Sequence, residues 1–247
     1  MDAIAACGGN AVVEALDSAA LGDALDAEGW APLPRLLDRA SCEQLRALYD
    51  DGDHGNAGTR FRSRVVMARH GYGRGEYRYF AYPLPDVVAA LRGALYARLA
   101  PIANRWNEAL RDPVRYPARH ADYLARCHAA GQARPTALLL RYRAGDYNCL
   151  HQDLYGEHVF PLQVVVLLSA PGREFTGGEL VMTEQRPRMQ SRAMVLPLAQ
   201  GDAAVIAVHH RPVPGTRGVH RVNLRHGVSR VTSGDRCTLG IIFHDAT

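Results

Sequence analysis

The sequence predicts an α+β protein in which a mainly helical N-terminal part, residues 1–134, supports a jelly-roll core, residues 135–246. Three observations predict it. Apolar residues recur at helical spacing up to about residue 130. Beyond Pro135 they regroup into short runs split by turn residues. The 247 residues carry 47% hydrophobic and 22% charged side chains, a globular balance with enough chain to bury a sizeable core. No internal repeat or low-complexity linker divides them, so one domain spanning 1–247 is expected.

The helical elements come first. Residues 11–28 (AVVEALDSAALGDALDAE) hold one apolar stripe, which Gly29 and the prolines Pro32 and Pro34 end. Ser41 and Gln44 resemble a capping box ahead of a helix through Leu45, Leu48 and Tyr49. Asp51 to Thr59 is a polar, glycine-rich loop. A long helix is expected over 86–111, with Val87, Leu91, Leu95 and Leu99 on one face and Pro101 as a kink or break. A further helix covers 117–130. Strands follow at 137–142, 147–154, 161–169, 178–184, 193–198, 202–208, 219–229 and 236–243, the spacing of a sandwich or jelly-roll barrel.

Composition excludes several classes. No apolar run reaches the roughly 18–20 residues of a membrane span, and the N-terminus has no basic residue of a secretory signal. The five cysteines are widely spaced with no CxxC pair, which argues against a disulfide framework or structural zinc and for a reducing cytoplasm. All 29 basic residues are arginine and the net charge is +4. A compositional preference for arginine accounts for this more simply than a surface built for phosphates does.

The chemistry concentrates in the stretch 147–153 (YNCLHQD). On a strand, residues i and i+2 share a face, so His151 and Asp153 can hold one ion. Two histidines and one carboxylate form the facial set of non-haem iron oxygenases. The chain carries its own decoy, His120 and Asp122, at the same spacing on a helix. There i and i+2 diverge, and a solvated helix face is expected. Candidates for the third ligand are His209, His210, His220, His226 and His244.

The segment 226–243 (HGVSRVTSGDRCTLGIIF) resembles the C-terminal signature of the Fe(II)/2-oxoglutarate-dependent oxygenase superfamily. The stretch from Tyr142 and Gly145 to His151 and Asp153 resembles its N-terminal signature, in the HQD form of AlkB-type repair enzymes. The segments 175–180 (FTGGEL) and 200–202 (QGD) are similar to strands and turns between them. Further segments, 75–80 (GEYRYF), 151–156 (HQDLYG), 184–192 (EQRPRMQSR) and 242–245 (IFHD), resemble a bacterial group of AlkB-related oxygenases. The superfamily match covers roughly 137–246, and the group match most of the chain.

The resemblance implies a double-stranded β-helix fold and an enzyme that oxidises its substrate while converting 2-oxoglutarate and O2 to succinate and CO2. It implies Fe(II) on His151, Asp153 and His226. It puts the distal carboxylate of 2-oxoglutarate on Arg236, with Tyr142 a second contact and Arg230 next in line after Arg236. His220 is the rival third ligand, since an even spacing from His226 keeps it on the same face. Cys149 either lines the pocket or fills space. AlkB-type enzymes carry a second arginine where Ile242 stands and an asparagine where Leu140 stands, so repair of alkylated bases carries over less directly than the metal core. Nucleic acid is one expected partner, with Arg186, Arg188 and Arg192 as a basic rim. The alternative is a hydroxylase of a protein or small molecule. The primary substrate is not legible in the sequence.

Overall fold

The computed structural model describes residues 7–51, 60–216 and 218–247. The polar loop expected over 51–59 lies outside them except for Asp51, which ends a helix.

The stripe over 11–28 forms two helices, α1 (Cys7–Glu14) and α2 (Ser18–Glu28). Asp17 separates them. Its ψ of 103° leaves helical geometry, and its carboxylate accepts from the Ala19 and Ala20 N–H groups, an N-cap that the apolar spacing hides. The expected capping box is displaced in the same way. Helix α3 (Arg39–Asp51) starts ahead of Ser41, and Asp38 Oδ1 accepts the Ser41 N–H at 2.7 Å. Helix α4 (Asp86–Ala109) runs through Pro101 without a break. An interior proline costs about 3 kcal/mol, and the burial of Leu91, Leu95, Leu99, Ile102 and Trp106 on the same helix offsets it. Helix α5 (His120–Ala129) is shorter than the expected 117–130.

The N-terminal part is less purely helical than its periodicity implies. It contributes β1 (Trp30–Leu33), β2 (Phe61–Val66), β3 (Gly73–Arg74) and β4 (Glu76–Phe80). The core then follows as β5 (Leu138–Arg143), β6 (Tyr147–His151), β7 (Leu162–Leu167), β8 (Phe175–Gly177), β9 (Leu180–Gln185), β10 (Arg192–Leu196), β11 (Ala203–Ala207), β12 (His210–Gly215), β13 (Gly218–Val228) and β14 (Val231–Ile242). Strand β12 escapes a search for apolar runs because Pro212 and Pro214 interrupt it. Both are tolerated because, among the described strands, β12 pairs with β13 alone.

Two antiparallel sheets result, with strand order β1-β11-β7-β14-β5-β4-β2 in the larger and β10-β9-β13-β6-β3 in the smaller; β8 joins β14 and β12 joins β13. This is the expected α+β jelly-roll architecture. The larger sheet is buried on both faces, and alternation divides the labour. On β14, Cys237, Leu239 and Ile241 enter the main core with α4, as does Phe243 just beyond the strand, whereas Arg236, Thr238, Gly240 and Ile242 face a cavity. On β5, Leu139 faces the core and Leu138, Leu140 and Tyr142 face the cavity.

Candidate metal centre and co-substrate pocket

Strand β13 lies beside β6 with His226 directly opposite His151. Cross-strand partners project to the same face, so the two imidazoles meet with ring centroids 4.3 Å apart. The third group arrives differently from the strand argument. Strand β6 ends at His151, and Asp153 sits two residues beyond it. The chain turns inward there and buries the carboxylate: Oδ1 is 3.4 Å from His151 Nε2 and Oδ2 is 3.2 Å from His226 Nε2. One ligand atom from each of the three lies within 4.8 Å of the other two. Gly227 makes this convergence feasible, because a Cβ there would stand 2.7 Å from the Asn148 carbonyl oxygen of β6.

The surroundings orient the donors. His151 Nδ1 donates to the Cys149 carbonyl at 2.8 Å, which leaves the Nε2 lone pair facing Asp153. Tyr155 Oη donates to Asp153 Oδ1 at 2.8 Å. Gln152 is tied back by its side-chain amide to the carbonyls of His209 and Leu224. Gln163 of β7 is buried, with its Nε2 3.2 Å from His226 Nε2. Burial alone would raise the Asp153 carboxyl, but hydrogen bonds and charge from the two histidines hold it well below its ordinary value. Burial also opposes protonation of both histidines. At His151 the adjacent Asp153 overcomes it and the pKa rises; at His226 burial prevails and the pKa falls.

Next to this cluster lies a cavity of about 380 Å³ that includes His151, Asp153, His226 and Arg236 among its walls. Arg236 is paired with Tyr142 across β14 and β5. It is 1% exposed, and its Nε and Nη1 have no hydrogen-bond partner. Its guanidinium carbon sits 5.5 Å from the Tyr142 ring centroid and 6.0 Å from that of Phe175. Burial lowers its pKa. The Tyr142 hydroxyl is fully buried and also unpartnered. A buried guanidinium without an acid is costly. Its forked donors and the neighbouring phenol fit an anionic ligand that brings its own carboxylate.

The other sequence candidates fall outside this cluster. His220 shares the strand and face of His226, but six residues of strand put it about 20 Å away. His244 is buried and accepts the Phe160 N–H on Nδ1. Arg230 is exposed in the turn before β14. Cys149 is exposed and lines the cavity, so it is no space-filling core residue. Asp122 is exposed and pairs with Arg119. His120 departs from the expected solvated face. It is half-buried against Tyr96 and Phe243, with Nε2 2.8 Å from the Phe243 carbonyl, because the start of α5 docks onto the end of β14. The expected rim is largely self-neutralised: Arg186 binds Glu184 at 2.8 Å and Arg192 binds Glu28 at 2.8 Å.

Residues 75–246 match the family Oxygenase-NA, described as oxygenases catalysing oxidative methylation of damaged DNA. The chain belongs to this family. Two proteins from Mycobacterium tuberculosis strains, both named as uncharacterised, are each 50% identical to it over 167 residues, 68% of this chain and 72% of theirs. Among solved structures, a Pseudomonas putida prolyl-4-hydroxylase superposes with a TM-score of 0.52 at 13% identity, covering 93% of this chain and 99% of its own. A 2-oxoglutarate/Fe(II) oxygenase-family oxidoreductase from Burkholderia pseudomallei gives 0.50 at 17% identity, covering 94% of each. The α-ketoglutarate-dependent carbocyclase SnoK of nogalamycin biosynthesis gives 0.53 at 14% identity over 94% of this chain and 85% of its own. At these identities the likeness is one of fold. As a member of this enzyme class the Oxygenase-NA chain is an oxidoreductase that uses Fe(II), 2-oxoglutarate and O2. No helix among the described residues is long and apolar enough to cross a membrane.

Proposed function

We propose that His151, Asp153 and His226 hold Fe(II), that Arg236 with Tyr142 holds the distal carboxylate of 2-oxoglutarate, and that the enzyme oxidatively removes alkyl groups from damaged nucleic-acid bases. The observation that carries the reading is the unpaired, fully buried Arg236 guanidinium in the same cavity as the two-histidine, one-carboxylate cluster. When bound, Fe(II) with 2-oxoglutarate supplies oxygen activation coupled to decarboxylation to succinate.

The chain's own residues do the rest. The imidazoles and carboxylate occupy one side of the metal position and leave the side toward the cavity for ligands. Arg236 would hold the far end of 2-oxoglutarate, and Thr238, on the same face of β14, lines the cavity beside it. Val165, Leu138, Leu140 and Ile242 exclude water where the reacting group would sit. Apart from the metal cluster, Arg236 is the single charged side chain among the described residues of the cavity wall. An N-alkyl group that is hydroxylated at its carbon leaves as an aldehyde, which restores the base. The free thiols of the described cysteines suit a reducing cytoplasm.

The test is succinate release with Fe(II) and 2-oxoglutarate, measured with and without a methylated oligonucleotide, together with formaldehyde and the restored base. No substrate-coupled turnover on any methylated oligonucleotide overturns the substrate half of the reading. A second reading, a hydroxylase of a peptide or small molecule on the same core, is favoured by Ile242 and Leu140. Both make their part of the cavity apolar where AlkB-type enzymes carry arginine and asparagine.

A further inference from the structure

The turn over residues 67–75 (MARHGYGRG) lies at the cavity mouth and does no work in the site described above. It is tightly built. Met67 is fully buried, and its carbonyl accepts the His70 and Tyr72 N–H groups at 3.0 and 3.2 Å. Met67 N–H in turn donates to the Gly75 carbonyl at 3.0 Å. The Tyr72 carbonyl accepts the Cys149 N–H at 2.9 Å, and β3 pairs with Tyr147 and Asn148 of β6. Gly73, at φ +124°, passes so close to the Tyr147 carbonyl oxygen that a Cβ would collide with it. The turn is therefore pinned to the strand that carries His151.

What it displays is unusual for a surface turn. Tyr72 is 50% exposed, stacks on His70 at 5.4 Å and 22°, and lines the cavity. Arg69 and Arg74 flank the pair in sequence, and both are exposed. Neither has a carboxylate partner among the described residues, whereas Arg186 and Arg192 do. Exposed Leu150 adds an apolar edge to the same mouth.

We propose that this turn is the surface on which a single-stranded nucleic acid rests, with a base stacked on Tyr72 and flanking phosphates on Arg69 and Arg74. The inference rests on the nucleic-acid reading above and moves its anchor from the 186–192 hairpin to the turn beside the metal. Ring stacking and unpaired guanidinium groups together are what a flexible strand recognises: every base has a stacking face, and each neutralised phosphate releases counterions. The rigid backbone holds these groups in place before the strand arrives.

The experiment is fluorescence anisotropy of the full chain with a labelled single-stranded thymidine oligonucleotide across a salt series, with thermal unfolding of each variant as the check on folding. Tyr72→Ala is expected to weaken binding about tenfold. Tyr72→Trp, which keeps a stacking face, restores it. Arg69→Ala and Arg74→Ala each lower the slope of log affinity against log salt by about 0.7. The pair Arg186→Ala and Arg192→Ala leaves both quantities near wild type. If wild type binds with a steep salt dependence and the turn variants match it, the platform is wrong and the nucleic-acid reading stands. If wild type does not bind at low salt, both fall.

Discussion

Tyr155 Oη donates a 2.8 Å hydrogen bond to Asp153 Oδ1, two residues back along the chain, and so fixes the one carboxylate of the metal cluster in place. Tyr155→Phe removes this donor and little volume. Groups that hold a metal ligand in place are worth roughly 10–100-fold in metal affinity. The variant is expected to bind Fe(II), or Mn(II) as a stand-in, at least tenfold more weakly by titration while unfolding at nearly the wild-type temperature. Unchanged metal affinity would remove Tyr155 from the centre.

His151→Ala, Asp153→Ala and His226→Ala are each expected to abolish metal binding and turnover. His120→Ala and Asp122→Ala bind metal normally. His120→Ala still lowers the melting temperature, since it deletes the contact to the Phe243 carbonyl. Metal binding that survives in His226→Ala and disappears in His220→Ala would reverse the assignment.

Arg236→Ala should weaken 2-oxoglutarate far more than metal. Losing one partner of a desolvated, hydrogen-bonded charge pair costs on the order of 2–5 kcal/mol. Arg236→Met sharpens the test. With no ligand it removes an unpaired buried charge and is expected to unfold no earlier than wild type. 2-Oxoglutarate raises the wild-type melting temperature and leaves that of the variant where it was. Equal shifts in the two proteins would move the carboxylate site elsewhere.

Acid should unfold the protein before it reaches the carboxylate range. Burial pushes the pKa of His120, His209 and His244 down to about 4. A histidine that stays neutral when folded and takes a proton near pH 6.5 when unfolded contributes its full stability above about 6.5. That stability is lost as pH falls from there toward the folded value. Asp245 adds to the loss lower down. Burial would raise its carboxyl, but Arg92 at 2.7 Å holds it below the ordinary value. Melting temperature is expected to fall steeply between pH 6.5 and 4.5. His120→Gln, whose amide can still reach the Phe243 carbonyl, flattens that fall by sparing roughly 1–2 kcal/mol of the stability that wild type loses by pH 5. A slope identical to wild type would show that His120 titrates alike in both states.

The β core is legible in the sequence because alternation and turn residues are local signals. Asp17 and Asp38, by contrast, moved two helix starts through single side-chain caps, which apolar spacing does not register. The strands β2 and β4 are not legible because Arg62, Arg64 and Arg78 interrupt their apolar residues, and the partner that joins them to the sheet, β5, is distant in sequence. At the site, the spacing of His151 and Asp153 was informative for a reason other than strand geometry, since Asp153 lies past the strand end. Tyr155 sat in plain view two residues beyond Asp153. Gln163 gave no local signal at all, because its proximity to His226 exists only once β7 and β13 are brought together.

Strand β14 hydrogen-bonds to β5, β7 and β8 along its twelve residues. Side chains alternate along it, so gaining or losing one residue would swap its two faces. Arg236 and Thr238 would then turn into the oily layer beneath α4, and Leu239 and Ile241 would be thrust into the reaction chamber. Descendants of this chain can change the length of the exposed 186–191 hairpin, whereas between residues 236 and 242 the count of residues is fixed.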